Sequence, residues 1–278
     1  MPRLLINGKS IFYFDDPQLE GGAAKQTATL FIHGLGSSSC IYKPVTPHLT
    51  QITRCIALDT PGSGLSHLGS SPQSVGTIAE DAVALLDFLE VKDKVVVVGH
   101  SMGCIVASYI AATFPDRVKG VVLMGPVNPS PALTEVFEQR INVVQNVEWQ
   151  ILTAADGIEY FANTIPTSAT GPNTTSLQHA FIRALIIGTS PEGYISLCRV
   201  IAEAKPPRYD LIKVPLEILV GEHDKTAPRE ISETIMGAYG TQNNNKSIDV
   251  LANVGHWYCV ENPERVQSLV TNFIKKRD

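Results

Sequence analysis

The sequence predicts an α/β fold: a mostly parallel eight-stranded sheet flanked by helices. Three observations carry it. Short β-branched runs recur along the chain, Val95-Val96-Val97-Val98 being the plainest. Stretches with apolar residues at helical spacing separate the later runs, and that alternation favours parallel strands with helices on both faces. The 278 residues are 44% hydrophobic and 18% charged, which supplies one large core.

Taken in order, Leu4–Ile6 and Ser10–Phe14 flank Asn7-Gly8, a hairpin signal because a type I′ turn needs positive φ at both positions. Thr27–Ile32 is the third strand and runs into His33-Gly34-Leu35-Gly36. Cys55–Leu58 is the fourth and ends at Asp59. Thr77–Leu89 places Ile78, Ala82, Leu85, Leu86 and Leu89 on one helical stripe. Val95–Val98 is the fifth strand and Ile105–Phe114 a buried helix. Val95 to Pro115 holds no Lys, Arg, Asp or Glu and is long enough to span a bilayer. Gly99 and Gly103 interrupt it, so it reads as strand, turn and core helix. Val118–Met124, Leu216–Val220 and Ser247–Leu251 complete the strands. Pro228–Tyr239 starts on a proline suited to a first helical position, and Asn262-Pro263-Glu264 opens the last helix.

From Pro129 to Pro215 the alternation stops. Helices are expected near Leu133–Val144, Gln150–Ala162, Ser176–Ile187 and Glu192–Ala202, punctuated by Gly171-Pro172 and Pro206-Pro207. The expected organisation is a core of 1–128 and 216–278, with 129–215 inserted after the sixth strand.

Composition removes several function classes. The 22 basic and 27 acidic residues give a formal charge of −5, unlike the basic footprint of a nucleic-acid binder. The N-terminus meets Asn7-Gly8 before any long apolar run forms, so no signal peptide is expected. Five cysteines lack paired or zinc-site spacing and read as free thiols, buried as small hydrophobes, in a reducing and hence cytoplasmic setting. No phosphate loop, dinucleotide fingerprint or metal cluster is legible, so neither cofactor nor metal is expected. The expected partner is a small molecule, with neither nucleic acid nor membrane, and the chain is expected to be a monomer or homodimer.

Gly99-His100-Ser101-Met102-Gly103 matches G-x-S-x-G between a strand and a helix, the context that motif requires. A sharp turn there presents the Ser101 hydroxyl at a helix N-terminus, where free N–H groups favour a developing anion. A serine needs a base. His256 follows the last strand, and Asp224 follows the seventh. Side chains in open α/β sheets converge at the carboxyl ends of strands. The chain order Ser, Asp, His is that of nucleophile-elbow hydrolases. Glu222 and Asp249 compete with Asp224 but read as solvent or edge groups. Asn128 stands where an acid after the sixth strand would be, and Asp59 reads as a cap for backbone N–H groups. The expected oxyanion donors are the backbone N–H groups of Met102 and Leu35.

On these residues the chain resembles the α/β-hydrolase superfamily over nearly its whole length outside the insertion. The resemblance rests on His33-Gly34-Leu35-Gly36, Asp59-Thr60-Pro61-Gly62-Ser63-Gly64-Leu65-Ser66, Gly99-His100-Ser101-Met102-Gly103, Asp224 with Pro228, and Gly255-His256. Within the superfamily it looks like the small lidded carboxylester and lactone hydrolases, 3-oxoadipate enol-lactonase-like proteins included. That resemblance implies a helical cap over the site, formed by 129–215. Candidate pocket walls are Gly34, Val127, Trp149, Phe161 and Trp257, with Tyr160 and Phe181 beside them. No cluster of basic residues marks a carboxylate grip, although Arg183 and Arg199 lie in the cap. The expected activity is hydrolysis of an ester or lactone of a small, largely apolar molecule through an acyl-enzyme on Ser101. Carbon–carbon hydrolysis of a diketone, a small-molecule receptor and a cyclase or acyl transferase remain open on the same residues.

Overall fold

A computed structural model describes residues 2–19, 27–145 and 157–277. Its sheet has eight strands in the order β1-β2-β4-β3-β5-β6-β7-β8. These are β1 (Arg3–Ile6), β2 (Lys9–Asp16), β3 (Ala28–Ile32), β4 (Arg54–Leu58), β5 (Val95–His100), β6 (Val118–Met124), β7 (Leu216–Gly221) and β8 (Lys246–Leu251). Strand β2 runs antiparallel to β1 and β4, and every other pair is parallel. Asn7 and Gly8 take φ of 47° and 77°, the positive pair that the hairpin demands.

Strand β5 is buried at every position, as a continuous apolar run in the middle of a parallel sheet should be. Helices α1 (Thr46–Leu49), α2 (Val75–Phe88) and α3 (Met102–Thr113) precede β6 in sequence. Among the described residues four more helices, α4 (Pro131–Gln145), α5 (Gly157–Ser168), α6 (Ser176–Ile187) and α7 (Pro191–Ala202), lie between β6 and β7. Helix α8 (Arg229–Ala238) separates β7 from β8, and α9 (Tyr258–Glu261) and α10 (Pro263–Lys275) end the chain. Helix α2 packs on α3, α1 on α10, α4 on α7 and α5 on α6.

Several boundaries move for readable reasons. Helix α2 starts two residues before Thr77, because Ser74 caps it and Thr77 closes a capping box from the third helical position. Helix α3 starts at Met102, so both Ser101 and Gly103 belong to the helix entry and not to a separate turn. Pro228 is the N-cap of α8 and not its first helical residue. Part of the expected Gln150–Ala162 helix lies outside the described residues, and α5 runs on to Ser168 with Pro166 in its last turn. The expectation of buried thiols holds for Cys55, Cys104, Cys198 and Cys259 and is corrected at Cys40, which is exposed.

The hairpin is tied to α2 by charge. Lys9 Nζ lies 2.5 Å from Asp81 Oδ2, and Asn7 donates to Asp81 Oδ1 at 2.9 Å. Both Lys9 and Asp81 are buried, so neither charge has water as an alternative partner. No described helix is long and apolar enough to cross a membrane.

Candidate active site

The site begins at the junction of β5 and α3. Ser101 takes φ 53° and ψ −117°, a conformation that few non-glycine residues tolerate. The flanking residues explain why it can form. A Cβ on Gly99 would overlap the Gly103 carbonyl, and one on Gly103 would overlap the carbonyl of Ile32. Ser101 N–H donates to Met124 O at 3.0 Å, which fixes the turn against the end of β6. Met102 opens α3, so its N–H is among the first-turn donors that a helix leaves unpaired.

The loop after β3 packs against this turn. A Cβ built on Gly34 would lie 2.8 Å from Ser101 Cβ. His33 shapes that loop: it holds Gly34 O at 2.7 Å through Nδ1 and takes the Thr60 N–H on Nε2 at 3.0 Å. Burial lowers its proton affinity, which keeps the ring neutral with hydrogen on Nδ1. Asp59 accepts from Ser39 N–H at 2.7 Å and Leu65 N–H at 2.9 Å, as a capping carboxylate does.

Asp224 follows β7 and His256 follows β8, and the two meet. His256 Nδ1 lies 2.8 Å from Asp224 Oδ2. Tyr258 donates to that same oxygen at 2.7 Å and accepts from Gly221 N–H at 2.9 Å. Asp224 Oδ1 accepts from Thr226 and Ala227 N–H, both at 2.9 Å. Burial works to raise the Asp224 carboxyl, but His256, Ala227 N–H and Tyr258 outweigh it and hold the group well below the ordinary carboxylate range. An ionised carboxylate only accepts, so His256 donates to it through Nδ1 and turns Nε2 away from the acid.

His100 joins the two halves of the site. Its Nε2 lies 2.7 Å from the carbonyl oxygen of His256, so that nitrogen is the donor. Burial, then the neighbouring His256, push its proton affinity down to about 3, and it stays neutral. The loop carrying His256 is thereby anchored to the residue that precedes Ser101.

The competing acids stand elsewhere. Half-exposed Glu222 accepts from Asn253 N–H, Asp249 pairs with Arg265 at 3.4 Å, and Asn128 contacts the Tyr209 hydroxyl. Of the candidate pocket walls, Trp257 is buried with its ring 6.0 Å from that of His100, and Val127 is buried beyond the end of β6. Phe161 stacks on Tyr194 at 5.2 Å, and the Arg140 guanidinium lies over the Phe161 ring at 5.4 Å, contacts made between the helices. Tyr160 sits edge-on to Phe161 at 5.4 Å, and Trp149 lies outside the described residues. Sequence reasoning missed Tyr258 and His100 as partners of Asp224 and His256. Only their closeness to His256 and Ser101 in sequence could have flagged them. A groove of about 350 Å³ lined by Gln73, Tyr109, Val200 and Leu211 contains none of the expected site residues. Among the described residues no cluster of His, Cys, Asp and Glu could hold a metal ion.

Comparison with known proteins agrees with this architecture. The chain is 25% identical over 209 residues to 3-oxoadipate enol-lactonase 2 of Acinetobacter baylyi, covering 73% of each chain. Among solved structures, a thermophilic esterase from Thermogutta terrifontis superposes with a TM-score of 0.85 at 23% identity, over 99% of both chains. The enol-lactonase of Burkholderia xenovorans superposes with a TM-score of 0.83 at 22% identity, over 99% of this chain and 100% of the other. The family model for the alpha/beta hydrolase fold matches residues 28–263. With that match on the eight-stranded sheet and the β5–α3 elbow, the chain belongs to the α/β-hydrolase family.

Proposed function

We propose that the protein is a serine hydrolase that cleaves a carboxylic ester or lactone of a small, largely apolar molecule. The observation that supports it most is the His256–Asp224 pair at 2.8 Å, joined through His100 to the strained turn that carries Ser101. In this reading the Ser101 hydroxyl attacks the carbonyl while His256 Nε2 takes its proton. Asp224 holds the imidazole in the tautomer that leaves Nε2 free, and offsets the positive charge that forms. The N–H groups of Met102 and Leu35 receive the oxyanion, each such donor being worth about 3 kcal/mol of barrier in related sites. His256 then returns the proton to the leaving oxygen, and water repeats the sequence on the acyl-enzyme.

The helices between β6 and β7 act as the cap of this site, with 129–215 as its extent and 1–128 and 216–278 as the core. Phe161, Val127 and Trp257 contribute apolar surface to the cleft beneath them.

The test is pre-steady-state kinetics with a short-chain p-nitrophenyl ester, comparing wild type with Ser101→Ala. A stoichiometric burst followed by turnover, absent in the variant, is expected. Full turnover by Ser101→Ala would refute the reading. A burst without turnover would replace hydrolysis by acyl transfer or slow ligand modification.

A further inference from the structure

His256 is held from outside its own loop as well as from within. Its N–H donates to Ala169 O at 2.8 Å, in the turn between α5 and α6. Glu261 grips the residues on either side. Its Oε2 accepts from Gly255 N–H at 2.9 Å and its Oε1 from Trp257 N–H at 2.8 Å. The same Oε2 accepts from Gly171 N–H at 2.7 Å and lies 3.2 Å from the Thr174 hydroxyl. Gln178, on α6, donates to Val260 O at 2.6 Å. The turn approaches so closely that a Cβ on Gly171 would overlap the carbonyl of Asn253.

We propose that Glu261 is a positioning residue for the base, carrying the placement of the α5–α6 turn onto the backbone on both sides of His256. This rests on the serine-hydrolase reading above. The chemistry favours a carboxylate at this position. Three backbone N–H groups converge on two oxygens, and a carboxylate only accepts. A glutamine of the same shape would turn its NH₂ toward one of those N–H groups, donor against donor. Charge-assisted bonds of this kind are shorter and roughly twice as strong as neutral ones. The consequence is that the helices between β6 and β7 do more than bound a pocket. They help to set where the base stands, and displacement of the 169–175 turn displaces His256.

The experiment compares wild type, Glu261→Gln and Thr174→Val with p-nitrophenyl acetate. Active sites are counted by complete labelling with a fluorophosphonate probe. A misplacement of the order of an ångström costs up to about a hundredfold in rate. We therefore expect Glu261→Gln to lower kcat per labelled site about tenfold or more with KM nearly unchanged, and to slow the labelling itself in proportion. Thr174→Val, which keeps all three N–H bonds, should change kcat less than threefold, under about 0.7 kcal/mol of barrier. A merely structural role would reduce the number of labelled sites and leave kcat per site intact, and that result overturns the proposal. If Glu261→Gln does not fold, Gln178→Ala loosens the same seam from α6. A severalfold loss of kcat per site supports the proposal, and wild-type kcat overturns it. Ser101→Ala separates the two levels, because turnover by that variant removes the serine-hydrolase reading itself.

Discussion

Glu217 sits on β7, one strand in from the β8 edge, in register with Val122 and Ser247. It is buried. Burial, then repulsion from Asp249, push its carboxyl up from the ordinary 4.5 to about 7, with Lys276, Arg277 and Arg265 pulling partly back. The folded protein therefore keeps a proton there that the unfolded chain releases. For an acid raised on folding, the associated stability is complete below 4.5 and declines as pH rises toward 7, above which it is lost. At about 1.4 kcal/mol per tenfold change in proton affinity, the gap corresponds to at most about 3 kcal/mol. Glu217→Gln imitates the protonated group at every pH. Urea unfolding of both proteins at pH 5 and pH 8 reads the effect, and the comparison cancels every other titration. The stability of the variant relative to wild type should rise by about 2 kcal/mol between the two pH values. A difference that stays constant with pH would show that water reaches Glu217 in the folded state and that the argument is wrong.

Three further outcomes follow from the contacts described. Asp224→Asn should lower kcat by on the order of 10³–10⁴-fold, because the amide no longer selects the productive histidine tautomer; single-turnover ester hydrolysis measures it. Tyr258→Phe strips Asp224 of one donor and Gly221 N–H of its acceptor, and should cost about 1–3 kcal/mol in thermal unfolding with a severalfold fall in kcat. Lys9→Met leaves Asp81 buried without its cation and should cost about 3–5 kcal/mol in urea unfolding, while the ester burst amplitude of the folded fraction stays at one per site.

The parts of this molecule that were legible in the sequence are those dictated locally. The Asn7-Gly8 hairpin, the valine strand and the G-x-S-x-G turn each rest on a few adjacent residues. The meeting of Asp224 with His256 was legible for a different reason, since strand ends in a parallel sheet converge whatever the intervening chain does. What escaped was set by hydrogen bonds between distant residues. Nothing in the letters around Glu261 shows that its carboxylate reaches Gly171, ninety positions away. Tyr258 reads as one more buried aromatic until the sheet places its hydroxyl between Gly221 and Asp224. Phe161 is a further case: the sequence offers it as an apolar wall, and its stacking on Tyr194, thirty-three positions away, is announced by no local pattern.

The strand order also has a consequence during synthesis. Ser101 and His256 are separated by 155 positions, so at roughly 5–20 residues per second the elbow leaves the ribosome roughly 8–31 s before its partner is made. For most of that interval, from the completion of β6 until Leu216 is made, β7 and β8 do not yet exist, and β6, with the sequence Val118-Lys119-Gly120-Val121-Val122-Leu123-Met124, forms the open margin of a half-built sheet. An apolar, unpaired edge of that kind templates pairing with other chains. On the serine-hydrolase proposal the nascent protein is thus at once catalytically silent and most prone to aggregate, and both conditions end when the last quarter of the chain docks.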